Sequence, residues 1–298
     1  MLFRIFYYFY NIIRQRSPVF VMNLLVRDEV DLIEANIRYH YSIGISQFNV
    51  IDNGSTDGTL EVLRELALDI PINIISKPFE VYSQQEWMTE LNFIARRQGA
   101  SMVFNNDADE FYILRNESTL IELFSVSDSV VFVNRYNVLL ESGKCWFNSS
   151  YVVKNPVFID REAQKSIESV SMPLVKIQRK VITNPWGIKC VGGGNHTARH
   201  VAKKFTSRLE ERIFIAHYPF QSWEKFRKNI EHRKELVSQG AKMGPHYHRW
   251  VAKLKNGELL NEYNAIVMQD SELAVLEKVG IVEQDNSIPM ALKEFISS

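Results

Sequence analysis

The chain has 298 residues, 46% of them hydrophobic and 23% charged, and its 35 basic side chains balance 35 acidic ones to a formal net charge of zero. That length suits one large domain or two small ones of ordinary globular composition, and the neutral balance excludes a dedicated basic nucleic-acid binder. The two cysteines, Cys145 and Cys190, exclude a disulfide framework and a four-thiolate zinc site, and read as reduced thiols of a cytosolic protein.

Residues 1–13 read MLFRIFYYFYNII, with Arg14 and Arg16 following. The run is shorter than the roughly 20 apolar residues of a membrane span and lacks the small-residue cleavage site of a secretory signal. Two readings of residues 1–16 stay open. One is a segment lying in a membrane interface; the other is a segment packed on its own domain or on a partner.

Beyond Pro18 the run Val19–Val26 predicts a buried strand, closing on Arg27, Asp28 and Glu29. A helix is expected over Glu29–Ser42. Val30, Ile33, Ile37 and Tyr41 form its apolar stripe, Asp28 its cap, and Gly44 its stop. A strand follows at Gln47–Ile51. It runs into Asp52-Asn53-Gly54-Ser55-Thr56-Asp57-Gly58, a segment dense in turn formers. Next come a helix over Thr59–Leu68, a strand over Ile72–Ile75, a helix over Gln84–Arg97 and a strand over Ser101–Phe104. That last strand leads into Asn105-Asn106-Asp107-Ala108-Asp109-Glu110. Later elements are less regular: a short helix over Thr119–Phe124, a strand over Ser129–Asn134, short strands and long loops over residues 135–200, a helix over Ser222–Ser238, and two or three helices from residue 260 on.

Alternating strands and helices predict a mostly parallel sheet with helices on both faces. Ligands bind such sheets at the carboxyl ends of the strands, which is where residues 27–29, 52–57 and 105–110 fall. Asp107 and Asp109, one residue apart at a strand end, suit one hard cation, Mg²⁺ or Mn²⁺, bridging the phosphates of a nucleotide diphosphate. Asp52 and Asn53 are placed to meet a base or ribose, while Ser55, Thr56 and Asp57 also suit local capping.

The stretch VRDEVDLIEANIRYHYSIGISQFNVIDNGSTDGT resembles the opening of family 2-type glycosyltransferases, and is most similar to the branch whose acidic motif reads like NNDADEFY here. Lys180-Val181-Ile182, the GGGNH run ending in His196, and His217-Tyr218-Pro219 with Ser222 and Phe226 add to the likeness, which covers about residues 18–230. The resemblance implies an α/β, GT-A-like fold: a mostly parallel central sheet flanked by helices, an irregular acceptor-side half, and C-terminal helices. It implies an inverting, metal-assisted transfer from a nucleotide-diphosphate sugar, a UDP-sugar first, to a glycan or lipid-linked acceptor, with no nucleic acid as partner. The expected division is a glycosyltransferase domain over residues 17–259 and a helical tail over 260–298. Within the domain, 17–111 would bind the nucleotide sugar and 112–259 the acceptor.

Carried over by position, Asp52, Asn53 and Asp107 would bind the donor, and Asp107, Asp109 and His217 the metal; Arg27, Glu29 and Asp57 on the strand-end loops are further donor-binding candidates, and Lys180, by its charge, is a candidate for the diphosphate. Arg199 is a second cation for the diphosphate. Displacement with inversion needs a group that takes the acceptor proton. The family's position for it falls near His196, with Asp160 next and Glu162 and Glu168 behind. The expected setting is the cytoplasm, at the inner face of the membrane if residues 1–16 lie in its interface.

Three rivals carry less. A zinc hydrolase would use the His196/His200 or His246/His248 spacings, yet leaves Asp107 and Asp109 without a role. A sugar nucleotidyltransferase needs a glycine-rich first loop, where this chain has Val26-Arg27-Asp28-Glu29. A degenerate sugar- or partner-binding module sits poorly with an intact Asp-x-Asp.

Overall fold

A computed structural model describes residues 18–78, 83–125, 127–157, 172–238 and 243–296. Residues 1–16 and Asp160, Glu162 and Glu168, all singled out above, lie outside these. The chain divides into two compact units. One holds the described residues up to Arg135, Gln178–Ile215, and those from Glu294 on; the other holds Tyr136–Ile177 and Ala216–Lys293.

The strands in chain order are β1 (Phe20–Val26), β2 (Gln47–Asp52), β3 (Ile72–Ser76), β4 (Met102–Asn106), β5 (Glu110–Leu114), β6 (Val130–Asn137), β7 (Tyr151–Val153), β8 (Lys180–Thr183), β9 (Ile188–Val191), β10 (Ala198–His200), β11 (Ser207–His217) and β12 (Val282–Gln284). Eight of them form one sheet in the order β3-β2-β1-β4-β8-β6-β11-β5. The pairs β3–β2, β2–β1 and β1–β4 are parallel, while β8 runs antiparallel to β4 and β6. Helices cover both faces. Ile33 and Ile37 of α1 (Val30–Ser42) and Leu63 and Leu66 of α2 (Thr59–Leu66) join Met22, Leu24 and Phe104 in one core. Trp87, Met88 and Leu91 of α3 (Gln84–Arg97) join Ile51, Val130 and Val181 in a second. This is the α/β architecture of the GT-A-like reading: a large, mostly parallel central sheet flanked by helices. Among the described residues no helix is long and apolar enough to cross a membrane.

A row of asparagines crosses the parallel strands. Asn73, Asn49, Asn23 and Asn105 pair in register on β3, β2, β1 and β4. Asn73 Nδ2 donates to Asn49 Oδ1 at 3.1 Å, and Asn49 Nδ2 to Asn23 Oδ1 at 3.2 Å. Asn92 of α3 and Gln98 join the row. Gln98, just past the end of the helix, exchanges two bonds with Asn49, and Asn92 donates to Asn105 Oδ1 at 2.7 Å. Each amide would be costly to bury alone; in register they give one another partners, Asn23 Nδ2 excepted among the described residues, and fix α3 to the sheet.

Several local expectations are corrected. Asp28 does not cap α1. It adopts φ +53°, Glu29 is the N-cap residue, and Val30 N donates to Asp57 Oδ2, on the loop after β2, at 3.1 Å. Tyr41 is exposed; the inner face of α1 adds the buried Asn36 and His40 instead. The second helix stops at Leu66, leaving Leu68 82% exposed. The strands β5 and β11 and a helix over Pro245–Lys255 were not foreseen.

The second unit carries its own cores. Phe220, Phe226, Ile230, Trp250 and Leu259 form one, and Leu139, Val153, Leu273 and Val282 another. Its helices include Trp223–Ser238, Pro245–Lys255, Leu259–Asn264, Asp270–Lys278 and Ser287–Leu292. These bear out the expected irregular later half and helical end.

Candidate active site

In the order β3-β2-β1-β4 the chain moves outward in opposite directions on either side of β1. A crevice at such a switch point opens at the carboxyl ends of the strands. Here those ends are Val26 and Asn106, and the acidic turn Asp107–Asp109 follows directly. Glu110 N donates to Asp107 O at 3.2 Å, closing the turn into β5.

The turn is pinned from beneath by α1. Asn36 Nδ2 donates to the carbonyls of Ala108 and Glu110, both at 2.9 Å. His40 Nε2 accepts from Tyr112 N at 3.1 Å, and Nδ1 bonds Asn36 O at 2.7 Å. A carbonyl only accepts, so Nδ1 carries the proton. Burial lowers the His40 pKa to about 3, which keeps the ring neutral.

A buried ion cluster stands beside the turn. Lys180, the first residue of β8, is fully buried, with Nζ 2.5 Å from Asp107 Oδ2 and 3.2 Å from Glu110 Oε2. Arg135 NH1 bonds Glu110 Oε1 at 2.6 Å. Burial alone would lower the Arg135 pKa, but the carboxylates of Glu110, then Asp107 and Asp109, outweigh it and raise it. Burial also raises Tyr112, with Glu110 and Asp107 adding to the effect. Three carboxylates thus face two buried cations, leaving one negative charge in excess.

The GGGNH run closes over Asp107. Gly194 and Asn195 adopt φ +65° and +59°, the left-handed region that costs a side chain unless local bonds hold it. Gln84 Oε1 on α3 accepts from Gly194 N at 3.0 Å, and Thr89 Oγ1 from Val191 N at 3.1 Å. A Cβ at Gly194 would stand 2.6 Å from the His196 ring, so only glycine admits that imidazole. Asn195 is buried and donates from Nδ2 to Asp107 Oδ1 at 3.3 Å; its Oδ1 meets no hydrogen-bond donor among the described residues. His196 Nδ1 lies 2.9 Å from Arg179 O, so Nδ1 donates and Nε2 keeps the lone pair. Burial, then the Lys180 charge, lowers its pKa.

The earlier loops are stitched to each other. Asp28 Oδ1 accepts from Thr56 N at 2.7 Å, Glu29 N donates to Thr59 Oγ1 at 2.8 Å, and Asp57 Oδ1 accepts from Thr59 N at 3.0 Å. Asp57 therefore caps α1 and orders the turn into α2. Arg27 Nε lies 3.4 Å from Asp28 Oδ2. Asp52 is buried at the end of β2 and faces Ser55 N, and Asn53 donates to Pro78 O at 2.9 Å. Within the first unit the structure brings together, of the candidate residues, Asp107, Lys180 and the loop that carries His196. His217 belongs to the second unit, where Nδ1 meets Asn137 Oδ1 at 2.6 Å. Asn137 Nδ2 donates to Pro173 O, which fixes its orientation and leaves His217 Nε2 the lone-pair nitrogen. Arg199 donates to Cys190 Sγ at 3.0 Å. Of the histidines in the zinc spacings, His200 Nδ1 accepts from Ala202 N, and burial lowers His200 to a pKa of about 4.

Sequence reasoning missed Glu110, Arg135 and Asn195. The signals were present: an acid adjoining the Asp-x-Asp, an arginine ending the apolar run VVFVN, and a lone amide within GGGNH.

No protein-family model matches the chain, and no curated protein matches it. Among solved structures, residues 1–349 of S. aureus TarS align with a TM-score of 0.37 at 12% identity, over 83% of this chain and 72% of that one. A longer TarS structure aligns at 0.37 and 12% over 84% of this chain and 44% of its own. Residues 1–349 of TarS in complex with UDP align at 0.35 and 13% over 83% and 71%.

Proposed function

We propose that the chain is an inverting glycosyltransferase that moves a sugar from a nucleotide-diphosphate sugar to a hydroxyl of a glycan or lipid-linked acceptor. The observation that carries the reading is the acidic turn Asp107–Asp109 at the switch point of the sheet, with the Asn195 amide and the His196 imidazole on the loop beside it. The chemistry of the donor set fits a hard divalent cation, Mn²⁺ or Mg²⁺. Asp107 and Asp109 offer carboxylate oxygens, and the buried Asn195 Oδ1 is a third oxygen short of a partner. When bound, the cation would offset the charge growing on the leaving diphosphate.

The chain's own residues supply the rest. Asn36 and His40 hold the turn so that its carboxylates need not reorganise during reaction. Lys180 and Arg135 keep the cluster near neutrality. His196, with its proton fixed on Nδ1, presents Nε2 as the base that removes the acceptor proton. Its lowered pKa keeps it unprotonated at neutral pH. The loops after β1 and β2 form the base and ribose end, with Asp52 and Asn53 at the strand edge and a uridine nucleotide as the first donor to try.

The test is a thermal-shift panel of nucleoside diphosphates and nucleotide sugars, with and without Mn²⁺, on wild type and Asp109→Ala. One nucleotide should raise the melting temperature in a Mn²⁺-dependent way, and Asp109→Ala should keep its fold, lose that dependence and lose transfer. Undiminished transfer by Asp109→Ala would remove the metal role.

A further inference from the structure

Lys180 is offered by the sequence as a cation for the leaving diphosphate, but its ammonium is engaged elsewhere. It is fully buried, and Nζ lies 2.5 Å from Asp107 Oδ2 and 3.2 Å from Glu110 Oε2. The other oxygen of Asp107 takes the Asn195 amide at 3.3 Å. Glu110 has a second cation in Arg135 at 2.6 Å. Lys180 is therefore not needed to neutralise Glu110; its charge falls mainly on Asp107, the residue that would also hold a divalent ion.

We propose that Lys180 is a resident cation of the acidic site: it competes with a divalent ion for Asp107 and lowers the site's affinity for that ion on its own. The inference rests on the reading of Asp107 and Asp109 as cation ligands. Its physical basis is like-charge repulsion in a buried setting, where screening by water is weak. The consequence is an order of entry. Free Mn²⁺ finds a site with only one negative charge in excess and binds weakly. A nucleoside diphosphate brings further negative charge, so ion and nucleotide bind together. Lys180 acts here through Asp107 and is a positioning residue.

The experiment is a Mn²⁺ titration of the full chain, read as the loss of the free-ion electron paramagnetic resonance signal. Wild type, Lys180→Met, Lys180→Gln and Asn195→Ala are compared, each checked for folding by thermal melt. Neighbours of a metal ligand change metal affinity by about ten- to a hundredfold, so both Lys180 variants should bind at least ten times more tightly than wild type. Lys180→Gln keeps a polar group against both carboxylates and covers the case in which Lys180→Met does not fold. Asn195→Ala frees a carboxylate oxygen of Asp107 but removes no charge and takes away the Oδ1 offered to the cation, and should show no such gain. In wild type, added UDP or GDP should tighten Mn²⁺ binding at least tenfold. Wild-type affinity in the folded Lys180→Gln variant, an equal gain in Asn195→Ala, or Mn²⁺ held by wild type as tightly without nucleotide as with it would each overturn the role of Lys180. No Mn²⁺ bound by any variant, with or without nucleotide, would instead overturn the cation-ligand reading itself.

Discussion

Replacing Glu110 by Gln keeps the shape of the side chain and removes one charge from a place water does not reach. The Glu110 side chain is 0% exposed, Arg135 10% and Lys180 1%. Breaking one partner of a buried ion pair typically costs about 3–5 kcal/mol, because the remaining charge is stranded. Two cations lose a partner here, but Lys180 keeps Asp107 at 2.5 Å. Arg135 then keeps only the charges of Asp107 and Asp109 across the cluster, which places the cost at the lower end, about 3 kcal/mol. At about 2–4 °C per kcal/mol for a chain of this size, the melting temperature should fall by about 6–12 °C. A circular-dichroism melt reads the shift. The double variant Glu110→Gln, Arg135→Met removes the stranded charge and should melt above the single Glu110→Gln variant. A fall under about 2 °C, or a double variant that melts lower than the single, would refute the reasoning.

Asp107→Asn should lower the melting temperature, since Lys180 then keeps only Glu110, whereas Asp109→Asn should leave it within about 2 °C; the same melts check both. The acid limb of kcat/KM should lie below the ordinary histidine value of about 6.5, because burial and Lys180 lower His196, and His196→Gln should cut kcat by roughly 10²–10⁴; a pH–rate profile unchanged by the substitution would exclude it as the base. Asn49→Ala strips bonds from Asn23, Asn73 and Gln98 and should cost on the order of 2–4 kcal/mol in urea unfolding. Burial would raise Glu210, but hydrogen bonds from Arg212 and Arg208 bring it down to about 2. Its stabilising effect is therefore present above about pH 4.5 and lost as pH falls toward 2, and Glu210→Gln should flatten acid unfolding in that window.

The parallel half of the fold was legible for a physical reason. Strands buried on both faces read as nearly continuous apolar runs, as in FVMNLLV with its single Asn23, and the helices between them repeat at 3.6 residues. β11 escaped because its first half, SRLEER, is charged; those charges are satisfied by partners such as Asp128, far off in sequence. The helix over Pro245–Lys255 escaped for the same reason. Its inner face includes Arg249, buried only because Glu262 lies 2.5 Å away. The asparagine row left a trace that was available: an asparagine inside each of four apolar strands. Its meaning depended on register, which no single strand displays.

At the site, sequence located the groups but not their engagements. Asp107 and Asp109 read as equivalent members of one motif. The fold makes them different. Asp107 carries an ammonium on one oxygen and an amide on the other, from residues 73 and 88 positions away; Asp109 is sensed by Arg135 across the cluster. Asp57 read as a donor-site residue, yet its carboxylate holds the start of a helix that begins 27 residues earlier. In both cases the strand-end position came from local pattern, and the chemistry of the side chain came from what the tertiary fold set against it. A substitution at Asp107 therefore tests the ion cluster together with any cation site, while one at Asp109 bears on the cation site with less disturbance of the fold beneath it.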